Sequence, residues 1–176
     1  GADLEVAVAA CLNGALFSTG QRCTASSRLS VTETIHDRFV AALKEAMGNL
    51  VVGDALDPRT QMGPVVDERQ LEQNFAYIDI ATQEGGKVAC GGERLKCDKP
   101  GFYMTPALIT DTSQDMRINR EEVFGPVTSV VRVKSYDEAL AAANDTQFGL
   151  SAGICTTSLK YASDFKTKSQ AGMVMV

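Results

Sequence analysis

Apolar residues along this chain recur at two spacings, one helical and one alternating. Leu4, Val8, Cys11, Leu12, Ala15 and Leu16 follow Asp3 at helical intervals, and Asp is a side chain that caps a helix start. That helix is predicted to stop at Ser18-Thr19-Gly20, where glycine suits a left-handed residue. Residues 27–31 read as a short strand. Residues 35–50 read as a second amphipathic helix, with Phe39, Val40, Leu43, Ala46 and Met47 on its inner face. The stretch "VVGDALDPRTQMGPVVD" (51–67) is punctuated by Gly and Pro and reads as loop. A third helix is predicted over 68–84, carrying Leu71, Phe75, Ile78 and Ala81 inward. Further strands are expected in "GGKVACGG", "TPALIT", "PVTSVVRV" and "SAGICTT", and helices in "SYDEALAAANDT" and "SLKYASDFKT". A last strand, "GMVMV", places Met173 and Met175 at alternating core positions. Strands alternating with helices of this kind predict an α/β fold, a three-layer α/β/α domain with a mostly parallel sheet.

Composition narrows the class. The 176 residues are 44% apolar and 22% charged, which suits one globular domain or one piece of a larger protein. A net charge of −5 argues against a nucleic-acid partner, which wants a basic stripe. No apolar run is long enough to span a bilayer and no charged-then-apolar leader occurs, so no membrane partner and a cytoplasmic location are expected. The five cysteines (Cys11, Cys23, Cys90, Cys97, Cys155) are odd in number and irregular in spacing, unlike a disulfide framework. With one histidine, His36, no metal site is expected. The chain starts almost on a helix and stops at Val176 within a strand expected to be buried, which reads as a fragment.

Two stretches carry candidate chemistry. In "FSTGQRCTASSRLSV" (17–31), Cys23 follows a rigid helix among small hydroxyl residues, with Arg22 as a cationic neighbour. A thiolate nucleophile needs such a setting, and a buried packing thiol is the other reading. His36 is expected on a solvent-facing helix start, so a base for Cys23 would be a carboxylate; Cys11, Cys90, Cys97 and Cys155 are read as structural. In "REEVFGPVTSV" (120–130), the Gly-Pro turn would fix Glu122 and Phe124 on one rim, a carboxylate and a ring suited to gripping a ribose. The same residues also read as a solvated helix end and plain core. The glycines of "EGGKVACGGERL" match neither G-x-G-x-x-G nor a P-loop, so a nucleotide's main cradle would have to come from elsewhere.

These pieces, taken in order, resemble the aldehyde dehydrogenase superfamily over essentially the whole chain. "NGALFSTGQRCTASSRL" resembles its catalytic cysteine segment, "MGPVVDERQLEQ" its Gly-Pro stretch, and "GFYMTPALI" one of its strand starts. "REEVFGPV", "ANDTQFGLSAGI" and "AGMVMV" are similar to three further signatures. Within the superfamily, "STGQRCTASSRL", "AANDTQFGLS", "TTSLKYA" and "AGMVMV" are most similar to bacterial α-ketoglutaric semialdehyde (2,5-dioxopentanoate) dehydrogenases.

The resemblance implies a catalytic-domain fold of aldehyde dehydrogenase type over residues 1–176. It also implies an NAD or NADP cofactor and a small aldehyde substrate, with a homodimer or homotetramer for the full-length protein. Cys23 would be the nucleophile that forms a thiohemiacetal and then a thioester. Glu122 would hydrogen-bond the nicotinamide ribose and Phe124 would pack beside it. The general-base glutamate, the oxyanion asparagine, the cofactor-binding domain and the oligomerisation segment would lie outside the chain, so the fragment alone is expected to be inactive. Three alternatives remain open: transfer of the thioester to coenzyme A, a cofactor-free cysteine acyl hydrolase, and a non-catalytic structural or binding relative.

Overall fold

The computed structural model describes residues 2–176. Helix α1 spans Leu4–Leu16, with the Asp3 carboxylate accepting the Val6 N–H at its start. Strand β1 is Arg28–Thr32, followed directly by helix α2, Glu33–Gly48. Helix α3, Glu68–Gln83, is capped by Asp67. Strand β2 is Lys87–Cys90, a short antiparallel pair joins β3 (Arg94–Leu95) to β4 (Tyr103–Met104), and β5 is Ala107–Thr112. A one-turn helix α4, Arg117–Arg120, precedes the longest strand, β6, Val127–Val133. Then come α5 (Tyr136–Asn144, capped by Ser135), β7 (Ser151–Gly153), α6 (Leu159–Lys168, capped by Ser158) and β8 (Met173–Met175).

The main sheet has the order β1-β6-β5-β2. The first three strands run parallel and β2 pairs antiparallel on the edge. Alternation along the strands divides the core. Leu29, Val31, Leu108 and Val130 face α1 and α2, joining Ala7, Leu16, Phe39, Leu43 and Met47. Ala107, Ile109 and Val127 face α3, joining Leu71, Ile78 and Ala81. Helices therefore cover both faces, as the three-layer α/β/α expectation required.

Two expectations fail here. β8 pairs only with β7 in a separate two-stranded sheet, and Met173 and Met175 are exposed rather than core. Alternation identifies a strand, but it does not say whether anything covers its face. His36 is buried on the inner stripe of α2, in step with Phe39, Leu43 and Met47, and its Nδ1 lies 2.9 Å from Asp37 Oδ1. Those positions are three and four apart, so helix geometry puts them on one face whatever the residue's polarity. No helix among the described residues is long and apolar enough to cross a membrane.

Candidate active site

The parallel strands β1, β6 and β5 all begin at the same end of the sheet, so the segments leading into them meet there. Their backbones are tied together. Ser129 N–H donates to Ser27 O at 2.9 Å, Ala107 N–H donates to Pro126 O at 2.9 Å, and the Thr128 hydroxyl reaches Ser26 O and Ser27 O. Cys23 stands on the first of these segments and Glu122 and Phe124 on the second.

The cysteine segment is shaped by an abrupt stop of α1. Ser18, Thr19 and Gly20 are all left-handed (φ 57°, 59° and 64°), which turns the chain back over the helix end. Beyond them, Ala25 N–H donates to Arg22 O at 3.0 Å and closes a turn whose central residues are Cys23 and Thr24. The Cys23 side chain is exposed, and its backbone N–H donates to no group among the described residues.

Side chains around the turn fix it to its neighbours. The Thr19 hydroxyl donates to Gly63 O at 3.2 Å, and Val66 N–H donates to the Gln21 side-chain oxygen at 2.9 Å. Arg22, expected as a cation beside the thiol, instead sends its guanidinium to Asn13 O and Gly14 O at 2.7 and 3.1 Å. Those carbonyls sit in the last turn of α1, where the partial negative charge of the helix end attracts a cation.

The rim segment meets this turn backbone to backbone. A Cβ placed on Gly20 would overlap the Gly125 carbonyl oxygen and lie 2.6 Å from its carbon. Next to Gly125, Phe124 is left-handed (φ 58°) and half-buried, while Glu122 is exposed and takes no hydrogen bond or ion pair among the described residues. Its neighbour Glu121 is fully engaged: Arg117 forks onto both oxygens at 2.8 and 2.9 Å, and the Tyr77 hydroxyl donates at 2.7 Å. Arg117 first and Tyr77 second stabilise the charged form, holding Glu121 down at about 2. The two glutamates therefore differ sharply. One is structural and the other is free.

Sequence reasoning missed the group that holds the rim. Gln70 and Gln73 of α3 donate to Val123 O at 2.9 and 3.2 Å, and the fully buried Asn74 lies under Gly125. The signal was three amide side chains at positions i, i+3 and i+4 of one helix.

The other cysteines divide unexpectedly. Cys155, read as structural, is exposed, and its thiol is held down to about 7 by a hydrogen bond from Cys11, against some burial. The same contact, followed by burial, pushes the Cys11 thiol up. No cluster of three or more His, Cys, Asp or Glu residues able to hold a metal occurs among the described residues. Two clefts lie away from Cys23. One, of about 340 Å³, is an apolar groove between α1 and α2 lined by Leu4, Val8, Leu12 and Ala46; the other, of about 520 Å³, is lined by Met47, Cys90, Glu93 and Pro106. With Cys23 and Glu122 both exposed, the candidate site is an open face.

Known proteins share the sequence pattern and the fold of this chain. Betaine aldehyde dehydrogenase of Mesorhizobium japonicum is 43% identical over 97% of this chain and 36% of its own length. Alpha-ketoglutaric semialdehyde dehydrogenase of Bacillus subtilis is 40% identical over 99% of this chain and 36% of its own. The crystal structure of betaine aldehyde dehydrogenase from Staphylococcus aureus in complex with NAD+ superposes with a TM-score of 0.96 at 37% identity, covering 99% of this chain and 35% of that one. This chain spans about a third of the length of these relatives. A model of the aldehyde dehydrogenase family matches residues 1–176, and with these identities the chain belongs to that family.

Proposed function

We propose that this chain is the cysteine-bearing catalytic domain of an NAD(P)+-dependent aldehyde dehydrogenase and that Cys23 is its nucleophile. One observation carries the reading. An exposed thiol with an unspent backbone N–H abuts, through Gly20 and Gly125, a rim that presents an unpaired carboxylate and an aromatic ring on left-handed backbone.

The Cys23 thiolate adds to the aldehyde carbon, forming a C–S bond and moving negative charge to the carbonyl oxygen. The Cys23 N–H is a donor available to that oxygen, and a single donor aimed at such a charge is worth roughly 10²–10³ in rate. Conversion of this adduct to a thioester needs a hydride acceptor, which an oxidised nicotinamide held at the Glu122 and Phe124 rim would supply. Water then cleaves the acyl–sulfur bond, releasing the carboxylate and returning the thiol. The base for that water, and a second oxyanion donor, would come from residues outside this chain.

The rim fits one end of the cofactor. Glu122 is acceptor-only and unpaired, so it can take hydrogen bonds from two vicinal ribose hydroxyls, and Phe124 offers a ring face beside it. The dinucleotide phosphates find no cradle in the glycine-rich stretch. Gly91, for example, serves a tight approach to the Pro106 carbonyl. The 176 residues alone are therefore proposed not to turn over aldehyde. The semialdehyde resemblance of the motifs favours α-ketoglutaric semialdehyde or a similar short oxo-acid aldehyde as substrate.

The test uses the full-length enzyme with a panel of semialdehydes and betaine aldehyde, NAD+ or NADP+, and product analysis with and without coenzyme A. Cys23→Ser is expected to lose activity by at least about 10³-fold. Turnover retained in that variant overturns the assignment. Native-like turnover by the isolated chain overturns the domain reading.

A further inference from the structure

Asn74 is out of place in its surroundings. It is fully buried on α3 between Leu71 and Ile78, in a cluster that otherwise holds Val65, Met104, Val123 and Val127. A primary amide brings two donors and an acceptor, and burying it without good partners is costly. Its partners are few: the oxygen accepts from Gln70 Nε2 at 3.0 Å, and the nitrogen faces the Met104 sulfur, a weak acceptor, at 3.5 Å. Packing alone would favour an apolar residue here.

What the amide does touch is the rim. A Cβ on Gly125 would overlap Asn74 Oδ1 and Nδ2 and lie 2.5 Å from Cγ, so the amide is the floor on which the Gly125 backbone rests. Gln70, which donates to Asn74, donates also to Val123 O. The carbonyl before Phe124 and the glycine after it are thus held from the same helical face. A left-handed phenylalanine is strained, and such strain persists only where the surroundings over-determine it.

We propose that Asn74 is a positioning residue that sets the pose of Glu122 and Phe124 for the nicotinamide ribose. The inference rests on the function proposed above, because it gives the rim a cofactor to meet. Asn74 reaches neither the cofactor nor Cys23; it acts through the Val123 to Gly125 backbone.

The experiment compares full-length wild type with Asn74→Ala and with Asn74→Asp, which keeps the shape and the acceptor for Gln70. Calorimetric titration with NAD+ and NADP+ gives Kd, steady-state kinetics give KM for each substrate, and peptide mapping gives the iodoacetamide alkylation rate of Cys23 without cofactor. Asn74→Ala is expected to raise cofactor Kd and KM about tenfold, the scale of a lost, well-placed polar contact. Aldehyde KM and Cys23 alkylation should stay within about twofold, and Asn74→Asp should recover most of the cofactor affinity. If Asn74→Ala does not fold, Asn74→Ser also clears the space under Gly125 and carries the same expectation.

Unchanged cofactor affinity in the folded variant overturns the proposal. So does a uniform loss of cofactor affinity, aldehyde KM and alkylation, which marks a purely structural residue. Failure of the wild type to bind either dinucleotide instead overturns the functional reading, and is visible before any variant is compared.

Discussion

Replacing Gly20 by alanine tests whether the cysteine turn and the rim meet in a fixed contact. Two costs add. Gly20 sits at φ +64°, where an L-residue with a Cβ loses roughly 1–2 kcal/mol. The new Cβ would also overlap the Gly125 carbonyl oxygen and lie 2.6 Å from its carbon and 2.9 Å from Ala15 O. All of these are backbone atoms, which cannot swing aside as a side-chain tip can, so overpacking adds about 1–3 kcal/mol. The expected loss is about 2–5 kcal/mol, a large share of a domain's usual range of roughly 5–15 kcal/mol. Gly48→Ala is the matched control, since a methyl there, at the exposed last residue of α2, would meet nothing within 4 Å and stability should stay within about 0.5 kcal/mol of wild type. The chain has no tryptophan, so urea unfolding is followed by far-ultraviolet circular dichroism. A Gly20→Ala variant within about 0.5 kcal/mol of wild type would refute the fixed contact.

Three further outcomes are expected. Gly125→Ala should cost about 1–3 kcal/mol alone but distinctly less in an Asn74→Ala background, because the amide it collides with is gone; additive costs in a double-mutant cycle by urea unfolding would contradict the wedge. Cys155 alkylation should inflect near pH 7, and Cys11→Ala should move the inflection up toward the ordinary thiol value of 9.0, as peptide-resolved labelling across pH will show. Glu121 should titrate near 2 rather than 4.5 by carboxyl carbon NMR, and Arg117→Ala should return it toward 4.5; its folded value is depressed, so its contribution to stability is present above pH 4.5 and fades as pH falls through 2.

Much of the fold was legible because its signals are local. Asp3, Asp67, Ser135 and Ser158 each accept a backbone N–H at the helix start they announce in the sequence. The one-turn α4 and the two-residue strands β3 and β4 are too short to show a period. Polarity misled at His36, where the spacing with Phe39 and Leu43 was correct and the residue type pointed the other way. Asn74 repeats that lesson between Leu71 and Ile78. At the candidate site, the sequence marked Cys23, Glu122 and Phe124 but not what locks them. The Gly20 and Gly125 contact and the Gln21 bond to Val66 N–H join residues far apart in the chain, and no local pattern encodes such pairs.

The distribution of backbone strain bears on the same place. Among the described residues, four that are not glycine have positive φ: Ser18, Thr19, Asp111 and Phe124. Three of them flank the seam between the cysteine turn and the rim. Each costs of order 1–3 kcal/mol, so a fold selected for stability alone would have little reason to gather them there. Nor do they go unsupported, since Thr19 is bonded to Gly63 O and the carbonyl before Phe124 is held by Gln70 and Gln73. Strain opposed by dedicated hydrogen bonds fixes atoms in positions that relaxed backbone would not reach. Here those atoms are an open thiol, a free N–H and an unpaired carboxylate, and relieving the strain at Ser18, which is exposed and has φ 57°, by substituting glycine should raise stability by about 0.5–1 kcal/mol in urea unfolding. A Ser18→Gly variant no more stable than wild type would show that the left-handed turn stores no strain and would remove this argument for the seam.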